Sequence, residues 1–303
     1  MSNPPVLIAL DWGTTNVRAA LLAADGAVLE ERRGESGVGK LDGDGFSARF
    51  TELTLDWPLV PAIAAGMVGS RQGWVEAPYM TVPITPDALG QSLIRFEAAG
   101  RTITIVPGLK YEGENRFDVM RGEETQIAGW LALHTGYSGT VVMPGSHSKW
   151  VNIEDGVVTG FQTYMTGELF DAVSQHTILR HSVTSTTPPN AAFGETVAAI
   201  VADGRSVEGA LFGLRAQHLL SDSRDEDLRQ QLSALLLVGE IRAAQRDGFS
   251  LENEIALIGN ENLTHYYAAA FAGFGRSTTA ARGTGLVWPA LMQLARIADL
   301  TDA

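Results

Sequence analysis

From Leu7 to Leu22 the chain is largely apolar on both sides of one interruption, Asp11-Trp12-Gly13-Thr14-Thr15-Asn16. A continuous apolar run reads as a buried strand. One that stops at an acid, a glycine and two hydroxyls and then resumes reads as strand, tight turn, strand. Glycine lets the backbone come close to a bound group, and successive turn N–H groups can face an anion. Asp11 adds a hard oxygen ligand suited to Mg²⁺ or its waters. The stretch reads either as a nucleotide-phosphate site or as an ordinary hairpin.

The pattern returns later. Thr140–Met143 is an apolar run, Pro144-Gly145-Ser146-His147-Ser148 a turn of glycine and hydroxyls, and Lys149–Ile153 a second run. Each unit then closes with an Asp-Gly turn, Asp25-Gly26 or Asp155-Gly156, and a third strand. Two such units imply a duplicated domain. The total of 303 residues accommodates two medium domains.

Between the copies lie two polar segments. Val60–Val68 reads as a small-residue strand running into Gly69–Tyr79, a loop mixing Arg71, Gln72, Trp74, Glu76 and Tyr79. That is the palette of a polar-ligand site, or of a surface turn with a packed tryptophan. Residues 122–135 read as a helix with Glu123 and Glu124 in its first turn. Acids there suit the helix dipole, and one could serve as a general base. After the second copy, Thr166 is a natural N-cap for a helix to about Leu179. Pro188–Gly194 reads as a loop, and helices follow over 206–220 and 225–246. Glu254–Ile258 is a strand meeting Gly259-Asn260 and a helix from about Leu263. A glycine at such a switch can seat the adenine–ribose part of a nucleotide. A last helix covers about 285–298.

Gly34-Glu35-Ser36-Gly37-Val38-Gly39-Lys40-Leu41 nearly spells a P-loop, but Leu41 stands where Ser or Thr should hold Mg²⁺, and the next residues break a helix. It reads as a flexible loop beside the substrate.

Composition narrows the function. Formal net charge is −13, with no basic cluster, which argues against nucleic acid. Cysteine is absent, so disulfides and thiolate metal sites are excluded and a cytoplasmic location is expected. No apolar run reaches the length of a membrane span, so no membrane partner is expected. The sequence leaves a homodimer open.

Two Gly-hydroxyl turns, an acidic helix start between them and a late strand–Gly–helix resemble the sugar kinase/actin/heat-shock-70 superfamily. The strings Asp11–Asn16, Ala65–Ser70 with Gly73-Trp74 and Ala77-Pro78-Tyr79, Val119–Gln126, Met143–Trp150 and Met165–Leu169 resemble the 2-dehydro-3-deoxygalactonokinase family. The resemblance implies an α/β fold of two ribonuclease H-like, actin-type domains, with mixed sheets, flanking helices and an interdomain cleft. Residues 1–135 would carry the substrate and the first phosphate turn, and 136–303 the second turn and the adenosine site. It implies ATP and Mg²⁺, and phosphorylation of the 6-hydroxyl of 2-dehydro-3-deoxy-D-galactonate. A related sugar acid such as the gluconate epimer, or phosphohydrolysis, is the alternative.

Residue by residue, Asp11 matches the metal position. Gly13, Thr14, Thr15, Gly145, Ser146 and His147 match the phosphate turns, and Gly259 and Asn260 the adenosine segment. Glu123 or Glu124 matches the base. Arg18, Arg71, Arg121 and Lys149 are candidates for the substrate carboxylate, with Trp74, Tyr79 and Thr166 as further substrate contacts.

Overall fold

The structure is a computed structural model that describes residues 3–301. Its elements group into two compact units.

The first unit opens with β1 (Pro5–Trp12), β2 (Val17–Ala23) and β3 (Val28–Gly34), the three strands expected there. It continues through α1 (Gly45–Leu53), β4 (Ala62–Ala65), β5 (Tyr79–Thr81), α2 (Pro86–Gln91), β6 (Ile94–Ala98), β7 (Arg101–Ile105), β8 (Gly108–Glu112), β9 (Phe117–Met120) and α3 (Glu123–Leu133). The main sheet runs β3-β2-β1-β4-β7-β6. The β1/β2 and β2/β3 pairs are antiparallel, and β1/β4 and β4/β7 parallel. Strand β1 is buried along Leu7–Leu10 because both its faces are covered. Ile8, Leu10 and Trp12 face a core with Phe46, Phe50 and Leu53 of α1. A small sheet, β5-β8-β9, completes the unit.

The second unit is built from β10 (Gly139–Met143), β11 (Ser148–Glu154), β12 (Val157–Tyr164), α4 (Thr166–His176), α5 (Phe193–Asp203), α6 (Val207–Leu220), α7 (Asp225–Arg246), β13 (Glu254–Gly259), α8 (Glu261–Gly273) and β14 (Thr279–Arg282). Its sheet runs β12-β11-β10-β13-β14, the order of β3-β2-β1-β4-β7 repeated. Helices α5, α7 and α8 cover it through Phe193, Val197, Val238, Ile241 and Phe271 against Val142, Trp150 and Leu257.

The units are not consecutive halves of the chain. The first runs to Tyr137 and also takes Ile153–Gly160 and the described residues from Gly283 onward, so the expected domain 136–303 loses both pieces. The last helix, α9 (Gly283–Ile297), packs on α3, β1 and β4. Its apolar residues Leu286, Val287, Leu291 and Leu294 are buried. The contact with α3 is close enough that a Cβ on Gly129 would lie 2.2 Å from the Leu286 carbonyl oxygen.

Three other expectations change. Phe193–Asp203 is a helix, so the loop expected over Pro188–Gly194 gives way at Phe193 to apolar positions that pack on the second sheet. Val60–Val68 is a strand only over Ala62–Ala65, because Gly66 at φ 93° turns the chain into a short 3₁₀ turn, Met67–Gly69. Helix α8 begins at Glu261, since Asn260 accepts from the Asn262 amide at 2.9 Å and caps it. Among the described residues no helix is long and apolar enough to cross a membrane.

Candidate active site

In the first unit the opening turn joins β1 to β2, with the Gly13 amide donating to Asn16 O at 3.0 Å. Asp11 is the penultimate residue of β1, its side chain one-third exposed. Arg18 lies opposite it in the antiparallel register and donates to Asp11 Oδ2 at 2.7 Å from Nη2 and 3.3 Å from Nε. The Arg18 guanidinium also lies over the Trp288 ring, 4.9 Å from its centroid. The candidate metal ligand and one candidate carboxylate receptor are thus partners of each other.

Glycine contacts bring the acidic helix start to this strand end. Gly66 is at φ 93°, and a Cβ there would lie 2.8 Å from Trp12 O. Gly122 is at φ 104°, and its Cβ would lie 3.5 Å from the Gly66 Cα. A side chain at Gly66 would collide with the Trp12 carbonyl, and one at Gly122 would be strained by its positive φ. Both acids fold back on the loop that precedes the helix. Glu123 Oε2 accepts from the Arg121 amide at 3.1 Å, and Glu124 Oε2 from the Gly122 amide at 2.6 Å. Their surroundings differ. Glu123 is half-buried, whereas Glu124 is buried and also accepts from Thr125 Oγ1 at 3.1 Å. Burial, helped by the charge of Glu123, pushes the Glu124 carboxyl up to about 8.

The loop between β4 and β5 is less open than its composition implies. The Trp74 amide donates to Val68 O at 2.8 Å, and the ring packs among Trp12, Phe46, Phe50 and Phe96. Trp74 is half-buried and packs against the core. Arg121 lies over the Tyr79 ring at 4.3 Å and donates to Ala77 O at 2.8 Å. Its Nε and Nη1 are buried without hydrogen-bond partners among the described residues. Nη1 lies against Gly69, where a Cβ would come within 2.9 Å of it. Arg71 is exposed.

In the second unit, Gly145-Ser146-His147 joins β10 to β11. The start of α4 packs directly on this turn. A Cβ on Gly167 would lie 2.6 Å from Gly145 O, and the Glu168 amide donates to Ser146 O at 3.1 Å. His147 Nε2 meets Glu168 Oε2. Gly259 lies alongside, with a Cβ there 3.5 Å from Pro144 O. Thr166 is not the N-cap of α4 but its first residue, and Met165 precedes it. Its hydroxyl instead bonds Glu240 of α7. Lys149 is buried and donates from Nζ to Thr163 Oγ1 at 2.8 Å, which ties it to the sheet.

The residue that sequence reading missed is Glu240. Buried beneath the second turn, it accepts from Trp150 Nε1 at 2.7 Å and from Tyr267 OH at 2.9 Å. Tyr267 spends its proton there, so it accepts from Ser148 Oγ at 2.7 Å. Burial raises the Glu240 carboxyl, and these donors oppose the rise. Its signal was an acid in the apolar stripe of α7 with Leu237, Ile241 and Ala244. A cavity of about 320 Å³ opens beside the turn, lined by Gly145, Gly167, Phe170, Arg229, Leu263 and Tyr266. Arg229 lies 4.7 Å over the Phe170 ring. Leu263 and Tyr266 share one face of α8 at i, i+3, a spacing readable in the sequence.

A strand order stated twice, with a glycine-hydroxyl turn after the first strand of each copy, defines an actin-type α/β kinase fold. The activator of the 2-hydroxyisocaproyl-CoA dehydratase from Clostridium difficile, with bound ADPNP, shares that fold at a TM-score of 0.51 and 12% identity, over 98% of this chain and 96% of that one. The family model for 2-keto-3-deoxy-galactonokinase matches residues 11–294. The 2-dehydro-3-deoxygalactonokinase of Escherichia coli is 38% identical over 282 residues, 91% of this chain and 92% of that one. The crystal structure of a Sinorhizobium meliloti protein assigned as a 2-dehydro-3-deoxygalactonokinase matches at a TM-score of 0.89 and 36% identity, over 96% of this chain and 98% of that one. The chain belongs to the 2-keto-3-deoxy-galactonokinase family, a family of kinases and therefore of ATP users.

Proposed function

We propose that the chain transfers the γ-phosphoryl group of ATP to the 6-hydroxyl of 2-dehydro-3-deoxy-D-galactonate, as a cytoplasmic step of galactonate breakdown. Family membership supports the substrate. The observation that carries the chemistry is the Gly66–Gly122 contact, which sets the start of α3 against the strand end bearing Asp11.

Phosphoryl transfer asks a protein for alignment, charge neutralisation and a proton acceptor. Gly13, Thr14 and Thr15 in the first turn, and Gly145, Ser146 and His147 in the second, are assigned phosphate oxygens. The cavity beside Gly145 is assigned the nucleoside, with Tyr266 and Leu263 supplying its apolar wall and Gly259 and Asn260 assigned to the same part of the nucleotide. Glu123 is assigned the base. The substrate oxygen bonds to the γ-phosphorus, the bond to the β,γ-bridging oxygen breaks, ADP leaves, and the hydroxyl proton passes to Glu123. Glu124 suits that role less, because it is buried against Ile84, Leu109 and Val158. Of the four candidate cations, Arg71 is assigned the substrate carboxylate, since Arg18, Arg121 and Lys149 are engaged within the protein.

The residues fit Mg²⁺. Asp11 offers one carboxylate, and no group of three or more His, Cys, Asp or Glu among the described residues could hold a metal by itself. A lone carboxylate suits an ion that keeps waters and takes its other ligands from substrate phosphates. When bound, Mg²⁺ neutralises charge on those phosphates.

The test is ADP release measured over a panel of 2-keto-3-deoxy sugar acids. Turnover that requires the galactonate isomer supports the proposal. Preference for the gluconate epimer moves the substrate, and ATP consumption without any sugar acid points to a hydrolase.

A further inference from the structure

We propose that Ser36–Gly39, the middle of the string that nearly spells a P-loop, is a brace that holds the first turn in its anion-binding shape. The proposal rests on reading that turn as a phosphate grip. Three consecutive amides of the segment bond three consecutive carbonyls of the turn. Gly37 N donates to Thr15 O at 2.9 Å, Val38 N to Gly13 O at 3.0 Å, and Gly39 N to Thr14 O at 3.0 Å.

Peptide planarity makes this pattern functional. In a trans peptide the carbonyl of one residue and the N–H of the next point in opposite directions. The carbonyls of Gly13, Thr14 and Thr15 aim at the brace, so the N–H groups of Thr14, Thr15 and Asn16 aim away from it. Those three residues are exposed. Successive amides turned to one side make an anion-binding concavity.

The brace is itself anchored on both sides of Ser36. Its carbonyl accepts from Trp12 Nε1 at 3.2 Å, and its hydroxyl from Arg49 Nη2 of α1 at 2.7 Å. Gly37 is obligatory for the approach of one backbone to another. A Cβ there would lie 2.4 Å from Thr14 C and O and from Thr15 C. Lys40, which a P-loop would place on phosphate, is exposed and donates from Nζ to Glu35 O within its own loop at 2.8 Å. The glycines of this string thus serve the phosphate turn and not the phosphate.

The experiment compares wild type, Gly37→Ala, Lys40→Ala and Asp11→Ala by ADP release with ATP and 2-dehydro-3-deoxygalactonate, with circular dichroism to check folding. Gly37→Ala should raise KM for ATP on the order of tenfold, the worth of about one lost hydrogen bond, while KM for the sugar acid stays close to wild type. Lys40→Ala should match wild type. An unchanged KM for ATP in a folded Gly37→Ala protein overturns the proposal, and so does a loss in Lys40→Ala as deep as that in Gly37→Ala. Where Gly37→Ala does not fold, hydrogen exchange on the wild type decides. The amides of residues 37–39 should exchange slowly alone and more slowly with adenylyl imidodiphosphate. Rates unaffected by that nucleotide overturn the brace. Failure of the underlying reading has its own signature: Asp11→Ala would keep full turnover, which overturns both.

Discussion

Glu123 and Glu124 are neighbours in sequence with opposite electrostatic fates. Glu124 is buried, and burial is the first cause of its carboxyl rising to about 8, with the charge of Glu123 second. In the unfolded chain it ionises near the ordinary glutamate value of about 4.3. Between those values the folded state holds a proton that the unfolded state has released. Stability is therefore greatest below about pH 4.3 for this group and falls as pH rises through about 8. Melting temperature measured across that window should decline in wild type and flatten in Glu124→Gln, whose amide can keep both bonds. An equal slope in the variant would show that another group is responsible. Glu123→Gln should lower kcat by roughly 10²–10⁴-fold with KM for ATP little changed; wild-type kcat would place the base elsewhere. Arg71→Ala should raise KM for the sugar acid more than KM for ATP, and an equal rise in both refutes the carboxylate role. The pair of acids at a helix start was legible in the sequence. Which of them is buried was not, because Ile84, Leu109 and Val158, which close over Glu124, lie far from it along the chain.

At the scale of an element, α7 shows how a helix can support a turn that it does not belong to. Glu240 gathers donors from β11, α4 and α8 beneath Gly145-Ser146-His147. Replacing it with alanine leaves Trp150 Nε1, Tyr267 OH and the Thr166 hydroxyl buried without their acceptor. At about 1–3 kcal/mol for each unsatisfied group, Glu240→Ala should lose roughly 3–5 kcal/mol in urea denaturation, since some donors will find water. Glu240→Gln, which keeps an acceptor oxygen, should lose less than half as much. Equal losses would mean that volume matters here and not hydrogen bonding. The loop Gly69–Tyr79 teaches the converse. Its polar and aromatic composition reads as a binding loop, yet Trp74 packs against the core, and Ala77 and Tyr79 engage Arg121 from the segment before α3. Composition cannot separate these uses, because an aromatic ring serves a core and a ligand through the same surface.

At the scale of the whole molecule, the duplication visible in the two turns is carried through to sheet order, β3-β2-β1-β4-β7 in one unit and β12-β11-β10-β13-β14 in the other. The exception is α9, last in sequence but a member of the first unit. A chain ending at Arg282 would uncover the buried partners of Leu286, Leu291 and Leu294 on β1, β4 and α3. Burial of each such side chain is worth about 1.5–3 kcal/mol, against a total stability of about 5–15 kcal/mol for a typical domain. Amide protection of β1, β2 and β4 should collapse in that truncated chain. Retained protection there would show that the unit stands without its last helix.

The sequence by itself determined the repeated strand–turn–strand units, the acidic helix start, the strand–Gly–helix switch and the family strings, because each is written in neighbouring residues whose spacing reflects local backbone geometry. Only the tertiary structure decided which unit owns α9, that Arg18 partners Asp11 and Glu240 underlies the second turn, and that the P-loop-like string is tied to the first turn. Those outcomes depend on contacts between residues distant along the chain, and such contacts follow from how whole elements bury their apolar faces together.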